Sequence, residues 1–183
     1  VRLPDGLETI GVATFSGCSN LYRISIPATV TSFGSYAFDN CESLTRVDIT
    51  DMAAWCNIDI PDWYSAIFYD THDGSIYLNG TEITELVIPE GVTEIKPFVF
   101  CGCTSLTSVS IPDSVTSIGE RTFYHCDDLA DITFGNGVAT IGQESFYGCA
   151  LLKSVTLPDS METIGNGAFE NCYDLSSIHL GES

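Results

Sequence analysis

The sequence predicts an α/β repeat solenoid: parallel strands, one to each 23-residue coil, joined by short helical turns. Three observations carry this reading. Cysteines stand at Cys18, Cys41, Cys103, Cys126, Cys149 and Cys172, in steps of 23 wherever the array is unbroken. Each follows an aromatic by three residues (Phe15, Phe38, Phe100, Phe123, Phe146, Phe169) and precedes a leucine by three (Leu21, Leu44, Leu106, Leu129, Leu152, Leu175). An alternating apolar pair comes next, as in Val47/Ile49 and Val109/Ile111, so strand starts fall at 1, 24, 47, 86, 109, 132, 155 and 178. Every interval is 23 except the one from 47 to 86, which is 39.

Each part of the unit has a physical task. The Val-x-Ile alternation is a strand with one buried face. Pro27, Pro89, Pro112 and Pro158 end it, because proline has no N–H for the ladder. The next apolar pair, Val115 and Ile118 for instance, turns a second side of the coil inward. Gly11, Gly34, Gly119, Gly142 and Gly165 mark a position where a Cβ is unwelcome. The small residue with Phe, and the Cys one turn later, suit a single helical turn that packs Phe into the stack. No coil buries its apolar side alone, so the coils must stack.

Phrases such as LTSVSIPDSVTSIGERTFYHC (106–126) and LKSVTLPDSMETIGNGAFENC (152–172) resemble the BspA-like, or TpLRR-type, leucine-rich repeat. About four-fifths of the chain carries the resemblance directly, and the long coil is similar to the degenerate coils interleaved in such proteins. The resemblance implies a right-handed leucine-rich-repeat superhelix. It also implies a cell-surface, extracellular protein with an adhesin role, binding an extracellular or host protein. Residues 1–183 then form a single solenoid domain with an irregular coil at 47–85, expected to be a fragment of a longer array and a monomer.

Composition narrows the function. Twenty-five acidic residues face six basic ones, a net charge of −19. That excludes a nucleic-acid surface, which needs clustered Lys and Arg, and an affinity for anionic membranes. No apolar run approaches the roughly 18 residues that span a bilayer. The three histidines, His72, His125 and His179, lie in unrelated contexts, and no nucleophile elbow, zinc-protease helix or phosphate loop is present. The expectation is no catalysis, no cofactor and no metal.

In a repeat array period-matched residues are scaffold, and a site belongs where the period breaks. The cysteine ladder reads as buried thiols that fill space and bond weakly to turn backbone, since stacked equivalents about 4.8 Å apart point their Cβ atoms the same way. Cys56 and Cys101 lie off the period and are read as free, with a mutual bridge the alternative. The acidic turn positions Asp5, Glu90, Asp113 and Asp159 read as a solvated edge, and 70–74 lacks the alternating oxygens of a calcium loop. The long coil holds Trp55, Trp63, Tyr64, Phe68, Tyr69 and Tyr77, and ends in Asn79-Gly80, a hairpin signal. Either these aromatics cover the break in the stack, or they form a platform for a protein or a glycan. On the second reading residues 59–75 project from the stack, and Trp63, Tyr64, Phe68 and Tyr69 are the candidate contacts, at least two of them partly exposed. A second candidate is the polar strand face, small residues such as Ser25, Ser108, Ser110, Thr133 and Thr156. Arg2, Arg23 and Arg46 gather at one end of it, able to dock an acidic partner or their own Asp48.

Overall fold

The computed structural model describes residues 1–71 and 73–180. The chain winds as a three-sided parallel β-solenoid around one continuous apolar core. On the first side lie the predicted strands, among them Arg23–Ser25, Arg46–Ile49, Glu85–Val87, Ser108–Ser110, Asp131–Thr133, Ser154–Leu157 and Ser177–Leu180. Their registers step by 23, as in Val109 beside Ile132 and Val155 beside Ile178. The segment at Val1 joins through a parallel bridge from Arg2 to Ser25. Apolar strand residues face in: Ile24, Val47, Leu86, Val109 and Val155 are almost fully buried. The side is a run of shorter ladders, because Asp131–Thr133 and Ser154–Leu157 lie together without pairing.

The second side is a ladder of two-residue strands, Glu94–Ile95, Ser117–Ile118, Thr140–Ile141 and Thr163–Ile164, with Thr9–Ile10 and Ser32–Phe33 paired likewise. A glycine follows each of these strands except Glu94–Ile95, where Lys96 stands, and marks the corner. A Cβ on Gly34, Gly119, Gly142 or Gly165 would stand 2.4–2.6 Å from backbone of the preceding coil. Gly11 has no such coil against it, and its Cβ would meet nothing nearer than Thr14 Oγ1 at 3.4 Å.

The third side corrects the expected helical turns. Among the described residues helix is confined to the long coil, at Met52–Cys56 and the single 3-10 turn Trp63–Ser65. Elsewhere the segment between the glycine and the cysteine is a series of tight turns. Two residues per coil, four apart, take left-handed φ: Tyr36 and Asn40, Arg121 and His125, Glu144 and Gly148. That conformation breaks an α-helix and sends alternate N–H groups outward. They donate to the next coil, as Arg121 to Gln143, Phe123 to Ser145 and His125 to Tyr147, at 2.8–2.9 Å. His125 stands where other coils have Gly or Asn, with φ of +53°.

Phenylalanines stack along the core, with ring centroids 5.2–5.3 Å apart and planes within 8° from Phe100 through Phe123 and Phe146 to Phe169. The cysteine three residues on donates its thiol to the phenylalanine carbonyl of the preceding coil: Cys126 to Phe100, Cys149 to Phe123 and Cys172 to Phe146, at 3.2–3.3 Å. Burial pushes these thiols above their ordinary range, Cys172 to about 11. They are packing groups, as is Cys56, buried and pushed up to about 12.

The 39-residue interval divides in two. Ile76, in strand Ser75–Leu78, pairs in register with Val47, 29 residues earlier. The chain then turns through Asn79-Gly80, both at positive φ, into an antiparallel arm, Thr81–Glu82, and reaches Leu86 ten residues after Ile76. Asp51 caps the helix Met52–Cys56 by accepting from the Ala54 amide, and Asp59 takes the second-side position beside Ser32.

Candidate functional site

Residues 59–75 do not project as a whole. Ile60, Ser65, Ala66, Ile67 and Phe68 are buried, and Asp59 is part of a ladder. Phe68 is 0% exposed and belongs to the core, so it presents no ring to a partner. A Cβ on Gly74 would strike its ring, which shows how closely the chain folds over it. The sequence held a signal for this: Phe68 precedes Thr71 by three residues, as Phe precedes Cys elsewhere. Trp55 is core as well, its indole N–H donating to the Val99 carbonyl at 2.9 Å and its ring edge-on to Phe33.

Three predicted rings do come together at the surface. Trp63, Tyr64 and Tyr69 form a triangle with centroids 4.8–5.3 Å apart and planes inclined by 62–72°, the edge-to-face geometry that aromatic quadrupoles favour. Trp63 and Tyr69 are half-buried and Tyr64 is 40% exposed. Neighbouring coils extend the cluster. Tyr36, 47% exposed, lies 5.9 Å from Tyr64, and Trp63 meets Tyr124 edge-on at 6.5 Å. Tyr124 in turn stacks on Tyr147 at 4.8 Å, and Asn171 donates to the Tyr147 hydroxyl at 2.6 Å. Tyr124 and Tyr147 are 23 residues apart, a periodic signal that sequence reading passed over.

Polar groups hold this surface in place. The Arg121 guanidinium lies over the Trp63 ring at 4.7 Å and the Tyr124 ring at 5.7 Å, while its Nε donates to Glu144 at 2.6 Å. That hydrogen bond holds the Glu144 carboxyl below the usual range. The Ser65 hydroxyl accepts from the Tyr36 amide at 2.9 Å and donates to Asp62 at 2.7 Å. Desolvation raises the pKa of the Asp70 carboxyl, with Asp39 and Glu42 adding to the rise and the nearby backbone of Asn40 and Cys41 opposing it. Desolvation likewise raises Tyr69, with Tyr64, Asp70 and Asp39 adding to it.

The arginine patch is also assembled, but largely spent. Arg23 and Arg46 sit side by side in register. Both grip Asp48: Arg23 through Nε at 2.5 Å and Nη2 at 2.9 Å, Arg46 through Nη2 at 2.7 Å. Burial pulls the Asp48 carboxyl up, but these hydrogen bonds outweigh it and hold the group below its ordinary value. Arg46 also lies 3.6 Å over the Tyr77 ring. Arg2, exposed, reaches Asp5 at 3.7 Å. Beside them runs an open groove of about 520 Å³, lined by Arg2, Arg23, Asp48 and the hairpin tip Asn79-Gly80. Of the two readings set out for these arginines, docking to their own Asp48 is the one Arg23 and Arg46 adopt.

Among the described residues no group of three or more His, Cys, Asp or Glu side chains is placed to hold a metal ion. No described helix is long and apolar enough to cross a membrane. His72 lies outside the described residues.

No curated protein of similar sequence was found. Among solved structures, the chain is similar to a leucine-rich cell surface protein from Faecalibacterium prausnitzii, at 21% identity and TM-score 0.51, over 100% of this chain and 87% of that one. It is similar to the pneumococcal vaccine antigen PcpA at 20% identity and TM-score 0.62, over 96% of this chain and 54% of that one. With the leucine-rich repeat protein of T. pallidum it shares 29% identity over 98% of this chain and 68% of that one, at TM-score 0.49. The profile of the BspA type leucine-rich repeat region matches residues 1–59 and 73–183, in six copies. Cysteine ladder, corner glycines, stacked phenylalanines and this match agree: the chain belongs to the BspA-type leucine-rich-repeat family.

Proposed function

We propose that the chain is a non-enzymatic, adhesin-like interaction module, a monomer displayed at a cell surface that binds an extracellular protein through the aromatic surface of its long coil. One observation carries this: the coil that breaks the period places Trp63, Tyr64 and Tyr69 together at the surface and joins them to Tyr36, Tyr124 and Tyr147 of regular coils. Large, stiff aromatics contribute contact area at little entropic cost and are the side chains on which protein interfaces concentrate their energy. Regular coils offer small polar groups on the strand face instead. The cell-surface description of the F. prausnitzii protein supports the placement, and the family supports an interaction role.

A glycan-binding reading has its own support in the flat Tyr124–Tyr147 stack, whose planes lie within 10° of each other and beside an amide donor, Asn171. A screen against extracellular matrix proteins, run beside a glycan array, separates the two. With a protein ligand in hand, Trp63→Ala with Tyr64→Ala should weaken binding about tenfold or more, while the melting temperature moves little. Unchanged binding together with a large loss of stability would make these rings a cover over the broken stack. The groove beside Arg2 and Arg23 would then be the surface to test.

A further inference from the structure

We infer that the open edge of the aromatic triangle seats a positively charged segment of the partner protein, with a lysine or arginine side chain lying on Tyr64 and Tyr36 against the carboxylates at the neighbouring turn. The inference rests on the protein-binding reading above and adds the partner's chemistry.

The long coil docks on the preceding coil on both sides of Asp70: the Ser65 hydroxyl accepts from the Tyr36 amide at 2.9 Å, and the Thr71 hydroxyl donates to the Leu44 carbonyl at 3.2 Å. That brings Asp70 to the turn bearing Asp39 and Glu42, directly beside Tyr69. Among the described residues the Asp39 carboxylate binds only a neutral amide, Asn40 Nδ2 at 2.6 Å, and Glu42 and Asp70 are exposed. Arg2, Arg23, Arg46, Lys96 and Arg121 each pair elsewhere, with Asp5, Asp48, Asp59, Glu94, Glu120 or Glu144. Among the described residues no ion pair reaches Asp39, Glu42 or Asp70. The rings and carboxylates are therefore complementary to one kind of group. A cation is attracted by the negative face of an aromatic ring and by carboxylates whose repulsion it relieves. Arg121 already shows the mode inside the same cluster, lying over Trp63 while paired with Glu144. An acidic partner would be repelled, and a neutral one would leave the carboxylates uncompensated.

The test is titration calorimetry with a short flexible lysine–glycine peptide, with its glutamate counterpart and with cellohexaose. The lysine peptide should bind and the other two should not. Tyr36→Ser with Tyr64→Ser, and separately Asp39→Asn with Glu42→Gln, should each weaken binding about tenfold. Asp113→Asn with Asp159→Asn removes the same charge elsewhere and should change it less than about twofold. Tyr64→Phe keeps the ring and should keep the affinity, and melting temperatures report whether each variant is folded. Equal losses for the two charge pairs would reduce the effect to the overall field of the protein and overturn the inference. So would cellohexaose binding at the rings, or lysine-peptide binding that survives removal of both tyrosines. Failure of the protein-binding reading looks different: no matrix protein would bind at all. A matrix protein that needs Trp63 and Tyr64 but ignores Asp39 and Glu42 would sink this inference alone.

Discussion

The regular coils and the long coil solve the same problem with different materials. Both must satisfy the N–H groups that the third side sends toward the next coil. In regular coils backbone carbonyls accept them, as Ala168 does for Phe146 and Glu170 for Gly148. Where the next coil is the long one, a side chain accepts instead: Ser65 Oγ takes the Tyr36 amide. The core follows the same division. Regular coils stack identical phenylalanines, whereas the long coil needs Phe68 from one turn and Trp55 from another, the latter tethered to Val99. Periodic parts are interchangeable because backbone makes their contacts. The long coil depends on particular side chains, and it also brings three aromatic rings together at its surface.

The largest expected effect lies at Trp55. Trp55→Ala removes a buried indole and leaves the Val99 carbonyl without its donor, and should cost about 3–5 kcal/mol in denaturant unfolding. A loss under about 1 kcal/mol would show that the long coil does not depend on it. The regular coils are probed next by a pair of identical substitutions. Gly142→Ala sets a Cβ 2.6 Å from the Glu120 amide and should cost about 1–3 kcal/mol, whereas Gly11→Ala meets only Thr14 at 3.4 Å and should stay within about 0.5 kcal/mol. Equal costs would mean that backbone contact between coils does not explain the glycine row. Ser65→Ala is the smallest of the three, about 1 kcal/mol, because it takes away the acceptor of the Tyr36 amide. Hydrogen exchange at Tyr36 should rise while Phe123, bonded to the Ser145 carbonyl, stays protected. Unchanged exchange at Tyr36 would erase the distinction between the two kinds of coil.

Much of the fold was legible because its contacts repeat. One registry error in a solenoid is contradicted by every other coil, so the strand starts, the corner glycines and the thiol ladder all follow from spacing. The helical turns were misjudged because the small-residue–Phe–x–x–Cys spacing suits a helix as well as a chain of turns. What decides between them is the left-handed pair, such as Arg121 and His125, and neither residue announces that conformation. The long coil was less legible for the same reason that the rest was easy. Nothing in the sequence says that the 39-residue interval contains a 29-residue coil and a hairpin, since Ile76 finds Val47 only in three dimensions. Of the four candidate aromatics, spacing could have removed Phe68, and it could have added Tyr124 and Tyr147. Tyr36, Arg121 and the acceptor role of Ser65 depend on how the long coil lies across its neighbours, which no single-coil pattern encodes.

The backbone hydrogen bonds of the third side run one way, opposite to the thiols. Donors point toward the C-terminal end and acceptors face the N-terminal end, from Ala13 to Ser35 through Gly148 to Glu170. The array is thus keyed like a connector with a plug at one face and a socket at the other. A cassette spliced in after any coil has to present sockets to the plugs before it, whatever its length or inner shape. The long coil meets that condition with the Ser65 hydroxyl, and the coils beyond it keep their register despite six extra residues between paired strand positions and a ten-residue detour. Foreign coils grafted here should be chosen first for an acceptor at that point and only then for core volume.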